Sequence, residues 1–279
     1  MMKLSAARLA LAATLLAVPA GLSAHRMWFL PSGTIFSGTD SWVTVDSAVS
    51  NDLFYPDHVA GQLENVKVWQ PDGSPGVLQN GATGRYRSVF DVKLDKPGTW
   101  KIGSEMQGFM GSFTVNGEEK RIGRRGPPRP DAPPPLTIAD IPANATAVKV
   151  TEFLSRNEIF ATAGAPTTGV FKPTGNGLEL APITHPNELV AGTPARLRFL
   201  IDGKPAANLK VTLVPGGKRY RDAEGAQELT AGADGVLTLT FPSAGMYWLN
   251  ANATDTKVSN PRATERRLGY TTTLEVMTP

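Results

Sequence analysis

An all-β chain is predicted by three observations on the sequence alone. Short runs alternate apolar with polar residues at the two-residue period of a half-buried strand, as in Trp42-Val43-Thr44-Val45-Asp46 and Ser88-Val89-Phe90-Asp91-Val92-Lys93-Leu94. Glycine and proline, 28 and 23 of 279 residues, punctuate these runs in turn clusters such as Pro71-Asp72-Gly73 and Lys96-Pro97-Gly98. Asp-Gly pairs at Asp202-Gly203 and Asp234-Gly235 stand next to alternating runs, and this dipeptide suits tight connections between antiparallel strands. The expected architecture is two Ig-like antiparallel β-sandwich domains in tandem, with few short helices.

The elements follow in chain order. Residues 1–24 carry Lys3 and Arg8, then an apolar core from Leu9 to Val18, then the small residues of Pro19-Ala20-Gly21-Leu22-Ser23-Ala24. These are the three parts of a secretory signal, and its core is too short to span a membrane. Cleavage fits after Ala20 or after Ala24, with Ala24 preferred. Residues 25–118 then form the first sandwich, through Met27–Leu30, the two runs quoted above, Val66–Trp69 and Trp100–Ile102. Residues 119–144 are rich in proline and arginine, with Arg121, Arg124, Arg125 and Arg129, and read as a solvated extended linker. Residues 145–279 form the second sandwich. Its strands include Ala147–Thr151, Arg196–Ile201, Leu209–Val214, Val236–Phe241, Met246–Leu249 and Thr271–Val276. Ser155–Ala163 is expected to hold a short helix, since Ser155 with Glu158 three residues on has the form of a capping box.

Composition limits the function. There is no cysteine, so an exported chain of this kind relies on its hydrophobic core without disulfides, and metal ligation would fall to histidine and carboxylate. Loss of the signal removes two basic residues and no acidic one, leaving 26 basic against 25 acidic side chains. That near-neutral balance, and a basic linker without interleaved aromatics, exclude nucleic acid as an expected partner. No later stretch is long and apolar enough to span a membrane. No nucleophile elbow or strand-to-helix phosphate loop occurs, so the chain is not expected to be an enzyme.

The candidate site starts at His25-Arg26-Met27-Trp28-Phe29-Leu30-Pro31-Ser32. With cleavage after Ala24, His25 carries both an imidazole and a terminal amine, a two-point chelate for a divalent transition metal ion. An α-amine titrates near neutrality, so a metal displaces its proton at small cost. His58 lies in the turn-rich segment Asn51-Asp52-Leu53-Phe54-Tyr55-Pro56-Asp57-His58, with Asp57 or Asp52 to orient it or supply charge. His185, between Thr184 and Pro186, is the third candidate ligand. Each has a plainer reading as a surface histidine, and three histidines in separate stretches lack the spacing of a zinc motif. Met106 and Met110 read either as soft Cu(I) ligands or as packing under a glycine-broken loop. The five tryptophans read first as core residues and second as a sugar-stacking platform.

These same residues carry a family resemblance. An exported chain opening His25-Arg26-Met27-Trp28-Phe29-Leu30-Pro31-Ser32 is similar to the DUF4198 family, and the resemblance continues through Gly177-Leu178-Glu179-Leu180-Ala181-Pro182-Ile183-Thr184-His185-Pro186-Asn187-Glu188-Leu189, Asp202-Gly203-Lys204-Pro205 and Gly245-Met246-Tyr247-Trp248. The family is often labelled as a NikM-like periplasmic component of nickel or cobalt uptake. The resemblance implies a periplasmic metal-binding protein for nickel or cobalt, or copper on the residue chemistry, working with a membrane transporter component. At His185 the chain departs from the pattern, which often has asparagine or another polar residue there. The competing expectation is a non-catalytic scaffold, adhesion or ligand-binding module in which the histidines are incidental. Oligomeric state is not legible.

Overall fold

The computed structural model describes residues 25–123 and 133–279. The expected signal at 1–24 and Arg124, Arg125 and Arg129 of the expected linker lie outside the described residues. From the start the chain lays down β1 (Arg26–Pro31), β2 (Ile35–Phe36), β3 (Ser41–Ser50), β4 (Val59–Ala60), β5 (Val66–Trp69), β6 (Gln79–Thr83), β7 (Ser88–Leu94), β8 (Gly98–Val115) and β9 (Glu118–Ile122). It continues through β10 (Thr146–Ala163), β11 (Leu178–Pro182), β12 (Pro194–Ile201), β13 (Lys204–Pro205), β14 (Lys210–Pro215), β15 (Gln227–Thr230), β16 (Val236–Thr240), β17 (Gly245–Asp255) and β18 (Glu265–Val276). Helix among the described residues is confined to single 3-10 turns such as Leu63–Asn65 and Ile138–Asp140. The fold is all-β, as the alternation predicts.

Three sheets are layered. A nine-stranded central sheet runs in the order β15-β14-β17-β18-β10-β8-β5, with β2 added beside β10 and β9 beside β8. A five-stranded sheet (β1-β3-β7-β6, with β4 on β3) and a four-stranded sheet (β11-β12-β13, with β16 on β12) are the outer layers. The alternation of β10 shows how they stack. Ile159, Ala161 and Ala163 join a core with Phe29, Val43, Val45, Phe90 and Val92 of the five-stranded sheet. Phe160 joins the other core, with Leu197, Phe199, Leu237, Tyr247 and Tyr270. Successive strand residues point to opposite faces, so the outer layers cover opposite faces of the central sheet. The two sandwiches share their middle layer.

Local expectations differ from the structure in three places. Ser155–Ala163 is not a helix but the second half of β10, an eighteen-residue strand. From Asn157 to Ala163 it is buried on both faces, and a strand between two cores loses the one-sided alternation that marks strands in sequence. Residues 119–122, expected to open the linker, instead continue from Glu118 as β9 and pair with β8 from Gly111↔Ile122 to Val115↔Glu118. The Met106–Met110 segment is strand rather than loop, within the eighteen residues of β8. Glycine is tolerated there because neighbouring groups pass close: a Cβ on Gly111 would lie 2.0 Å from the Lys149 carbonyl oxygen. The Asp-Gly expectation holds at Asp202-Gly203, where both residues are left-handed, with φ 51° and 75°, in the tight connection from β12 to β13.

Candidate functional site

β1 begins at the rim of the five-stranded sheet and holds His25 there. Arg26 is paired with Glu224 and lies 5.2 Å from the Trp248 ring centroid, which anchors the start of the strand. The hydrogen bond from Arg26 holds the Glu224 carboxyl below its ordinary range, against the effect of its own burial. Trp28 is 1% exposed and packs with Leu53, Val214 and Trp248 between the layers. Its indole N–H donates to Ser50 Oγ at 2.7 Å, and Ser50 in turn donates to the Asp52 carbonyl at 2.6 Å. That chain of contacts fixes the segment after β3.

The same segment is held at three further points. Phe54 meets Trp28 edge-on at 5.7 Å and lies over Gly216, where a Cβ would come within 3.2 Å of the Phe54 ring. Arg219 lies 4.0 Å from the Tyr55 ring centroid. Asp57 accepts a hydrogen bond from the Asn51 backbone N–H at 2.9 Å, which closes the loop on itself. The result brings His58 to His25: their rings stack with centroids 3.8 Å apart and planes inclined by 25°. Both side chains are exposed.

The other candidates stand apart from that pair. Among the described residues no group of three or more histidine, aspartate or glutamate side chains is arranged to hold a metal ion. Asp57 is turned toward Asn51, and its part is to position the loop. His185 is 9% exposed and is engaged at both ring nitrogens. Its Nδ1 accepts from the Asn187 backbone N–H at 3.1 Å, so Nε2 carries the proton and faces the Thr167 carbonyl at 3.2 Å and Thr99 Oγ1 at 3.0 Å. The network continues from Thr99 to Thr162 Oγ1 and from Thr162 to Asn187 Oδ1. His185 therefore sits in a structural network that ties β8, β10 and the segment after β11 together.

That network has a pH signature. Burial lowers the His185 pKa from its ordinary 6.5, opposed by the Thr167 carbonyl and by Glu188. The unfolded chain thus binds a proton that the folded chain refuses, so this contribution to stability is complete above about pH 6.5 and is lost as the pH falls below it. Urea unfolding midpoints measured between about pH 7.5 and pH 5.5 should fall with acid in the native chain and fall less in His185→Gln. Equal slopes in the two proteins would refute this assignment.

Met106 and Met110 are 42% and 45% exposed, so they are not buried packing under a loop. Trp28, Trp100 and Trp248 are buried, whereas Trp42 is exposed with Lys93 Nζ 5.8 Å from its ring. A feature that sequence reasoning missed lies beside His25. A cavity of about 610 Å³ opens over the central sheet next to His25, Arg26 and Met27, floored by polar residues that include Asn157. Asn157 is 4% exposed, and neither its Oδ1 nor its Nδ2 has a hydrogen-bond partner among the described residues. The sequence signal was the change along β17 from Met246-Tyr247-Trp248-Leu249 to Asn250 and Asn252 on alternate positions.

No curated protein matches the chain. Among solved structures, the D0–D1 domain of intimin is similar at 14% identity, over 88% of this chain and 97% of that one, with a TM-score of 0.21. A DUF4785 family protein from Legionella pneumophila is 9% identical over 80% of this chain and 50% of that one, with a TM-score of 0.24. The human OSCAR ligand-binding domain is 12% identical over 90% and 98%, with a TM-score of 0.20. Similarity at these TM-scores carries no argument about function. The family model described as a domain of unknown function, DUF4198, matches residues 22–255, and the protein belongs to that family.

Proposed function

We propose that the protein is an exported, non-catalytic carrier that takes a divalent transition metal ion at His25 and His58 and yields it to a membrane transporter component. Nickel or cobalt is the expected cargo, with copper as the third candidate. The observation that carries this reading is the stacking of the two imidazoles at 3.8 Å, from segments more than thirty positions apart in sequence. Imidazole nitrogen suits these ions, and in a chain without cysteine it is the softest strong donor available beside methionine. Cleavage after Ala24 would add the His25 amine as a third nitrogen. Exposure of both rings suits a site that must load and unload. Arg26 and Asp57 act as positioning residues, the first for β1 and the second for the loop of His58. Among the described residues no helix is long and apolar enough to cross a membrane.

The test is a calorimetric titration of the chain beginning at His25 with nickel, cobalt and copper. Micromolar binding of at least one ion is expected, and His58→Ala should weaken it by about tenfold or more. A single glycine placed before His25 removes the terminal chelate and should weaken binding as well. Absence of micromolar binding, or identical titrations for the native chain and His25→Ala, would sink the metal reading. What would remain is a β-sandwich scaffold with incidental histidines.

A further inference from the structure

His25 lines its cavity together with two thioethers, Met27 and Met106, which the pairing with His58 leaves unused. The fold explains their presence. Phe29 of β1 and Ile102 of β8 belong to one core between the layers. Side chains alternate along a strand, so Met27, two positions before Phe29, stands on the same face of β1 as Phe29. Met106, four positions after Ile102, likewise shares the face of Ile102 on β8. The two methionines therefore continue the facing surfaces of that core to where it gives way to the cavity. Trp248 holds this end of β1, its indole N–H donating to the Met27 carbonyl at 3.2 Å. The cavity floor is polar, with Ser104 paired to Asn157 and Asn157 to Thr271 in one cross-strand row.

Access and charge decide what such a donor set takes. His25 and Met106 are exposed and Met27 is partly so, which leaves all three side chains within reach of solvent. Methionine is unbranched, flexible and polarisable, so thioethers from two walls adapt readily to one ion. The wall's formal charges are matched: Arg26 is paired with Glu224, and Arg156 with Glu105 at 3.1 Å. Glu224 is the one carboxylate among the described residues that line the cavity, so no free anion offsets an incoming cation. His25, outside these pairs, ligates as the neutral imidazole. A divalent ion held by these neutral donors would keep two uncompensated charges, and a monovalent ion one.

We infer that the cavity binds one Cu(I) ion through the His25 imidazole and the sulfurs of Met27 and Met106. Thioether sulfur is the side-chain donor that selects Cu(I), and imidazole suits copper as well. His25 is then common to two donor sets, one with His58 for a divalent ion and one with the thioethers for Cu(I). The inference shares with the proposed carrier function the premise that His25 is a metal ligand. Copper is bound in the oxidation state in which it arrives, and no electron transfer is involved.

The experiment uses the chain beginning at His25, held anaerobic with ascorbate. Cu(I) is presented as its bicinchoninate complex, and its transfer to the protein is read from the loss of the chelator's colour. Binding with a Kd below about 1 μM is expected. Met27→Leu and Met106→Leu keep the volume of the side chain and the fold, and each should weaken Cu(I) binding by about tenfold or more. Met110→Leu is the control: it lies four positions farther along β8, about 13 Å away, and should bind Cu(I) like the native chain. X-ray absorption at the copper edge should show sulfur neighbours that diminish in both thioether variants. Native Cu(I) affinity in Met27→Leu and Met106→Leu, an equal loss in Met110→Leu, or a copper spectrum without sulfur would each overturn the inference. Nickel and cobalt titrations of the same proteins separate the two readings. Unchanged divalent binding in the thioether variants is expected, whereas failure of nickel, cobalt and Cu(II) to bind with Cu(I) binding retained would sink the divalent carrier alone.

Discussion

Trp28→Ala is expected to destabilise the protein by about 3–5 kcal/mol, the usual cost of truncating a fully buried tryptophan. The residue is 1% exposed and fills the space between β1, β3 and the β14–β17 edge of the central sheet. Alanine would leave a cavity among Leu53, Val214 and Trp248 and would remove the hydrogen bond to Ser50. Equilibrium urea unfolding measures the loss. The functional consequence is separate: Phe54 and Ser50 both lose their contact, so the segment carrying His58 is freed from the strand carrying His25. Trp28→Phe keeps most of the volume but not the N–H donor, and should cost roughly 1–2 kcal/mol. A variant Trp28→Ala with native stability would show that the layer contact is dispensable.

Arg266→Met should cost about 3 kcal/mol at neutral pH, the low end for breaking a buried ion pair by removing one partner. Arg266 is 7% exposed on β18 and donates to Asp202 at 2.8 and 3.1 Å and to Asp255 at 2.6 and 2.9 Å. It thereby clamps the turn of the four-stranded sheet to the end of β17. Hydrogen bonding to Arg266 lowers both aspartate pKa values from their ordinary 3.8, outweighing burial, and raises that of the arginine. The aspartates' contribution is present above about pH 4 and is lost as the pH falls through their depressed folded values. In the methionine variant that contribution is gone, and two carboxylates face each other without a cation. The stability gap between native chain and variant should therefore be widest at neutral pH and shrink on acidification toward about pH 3. A gap independent of pH would assign the loss to packing instead.

The strands of the outer sheets were legible because each has one wet face. Trp42–Asp46 and Ser88–Leu94 alternate, and both fall in strands, β3 and β7. β10 was not legible at Ser155–Ala163, because Ile159, Phe160 and Ala161 run together without alternation between two cores and Ser155 with Glu158 imitates a helix cap. Periodicity also reports which residues share a face but not which strand lies beside which. The parallel pairing of β10 with β18, from Thr151↔Glu265 to Glu158↔Thr272, joins residues more than a hundred positions apart and leaves no local trace. The site divides in the same way. His25 and His58 stood out by residue type, but their stacking depends on Trp28, Ser50 and Phe54. His185 looked comparable because its partners Thr99 and Thr167 are contributed by other segments. Asn157 gave no signal at all, since a single asparagine in a strand acquires meaning only from the register of its neighbours.

The order of the central sheet also sets a timetable for folding. β10 lies between β8, which precedes it, and β18, which spans Glu265–Val276. As the chain emerges from a ribosome or a translocation pore, β8 and β10 are able to pair early, but the other edge of β10 stays open until residue 276 has appeared. A fragment ending before β18 would present that edge, with the row containing Asn157, as a template for pairing with other chains. Closure of the central sheet thus waits for the last strand, and truncated chains should aggregate rather than yield a working N-terminal half.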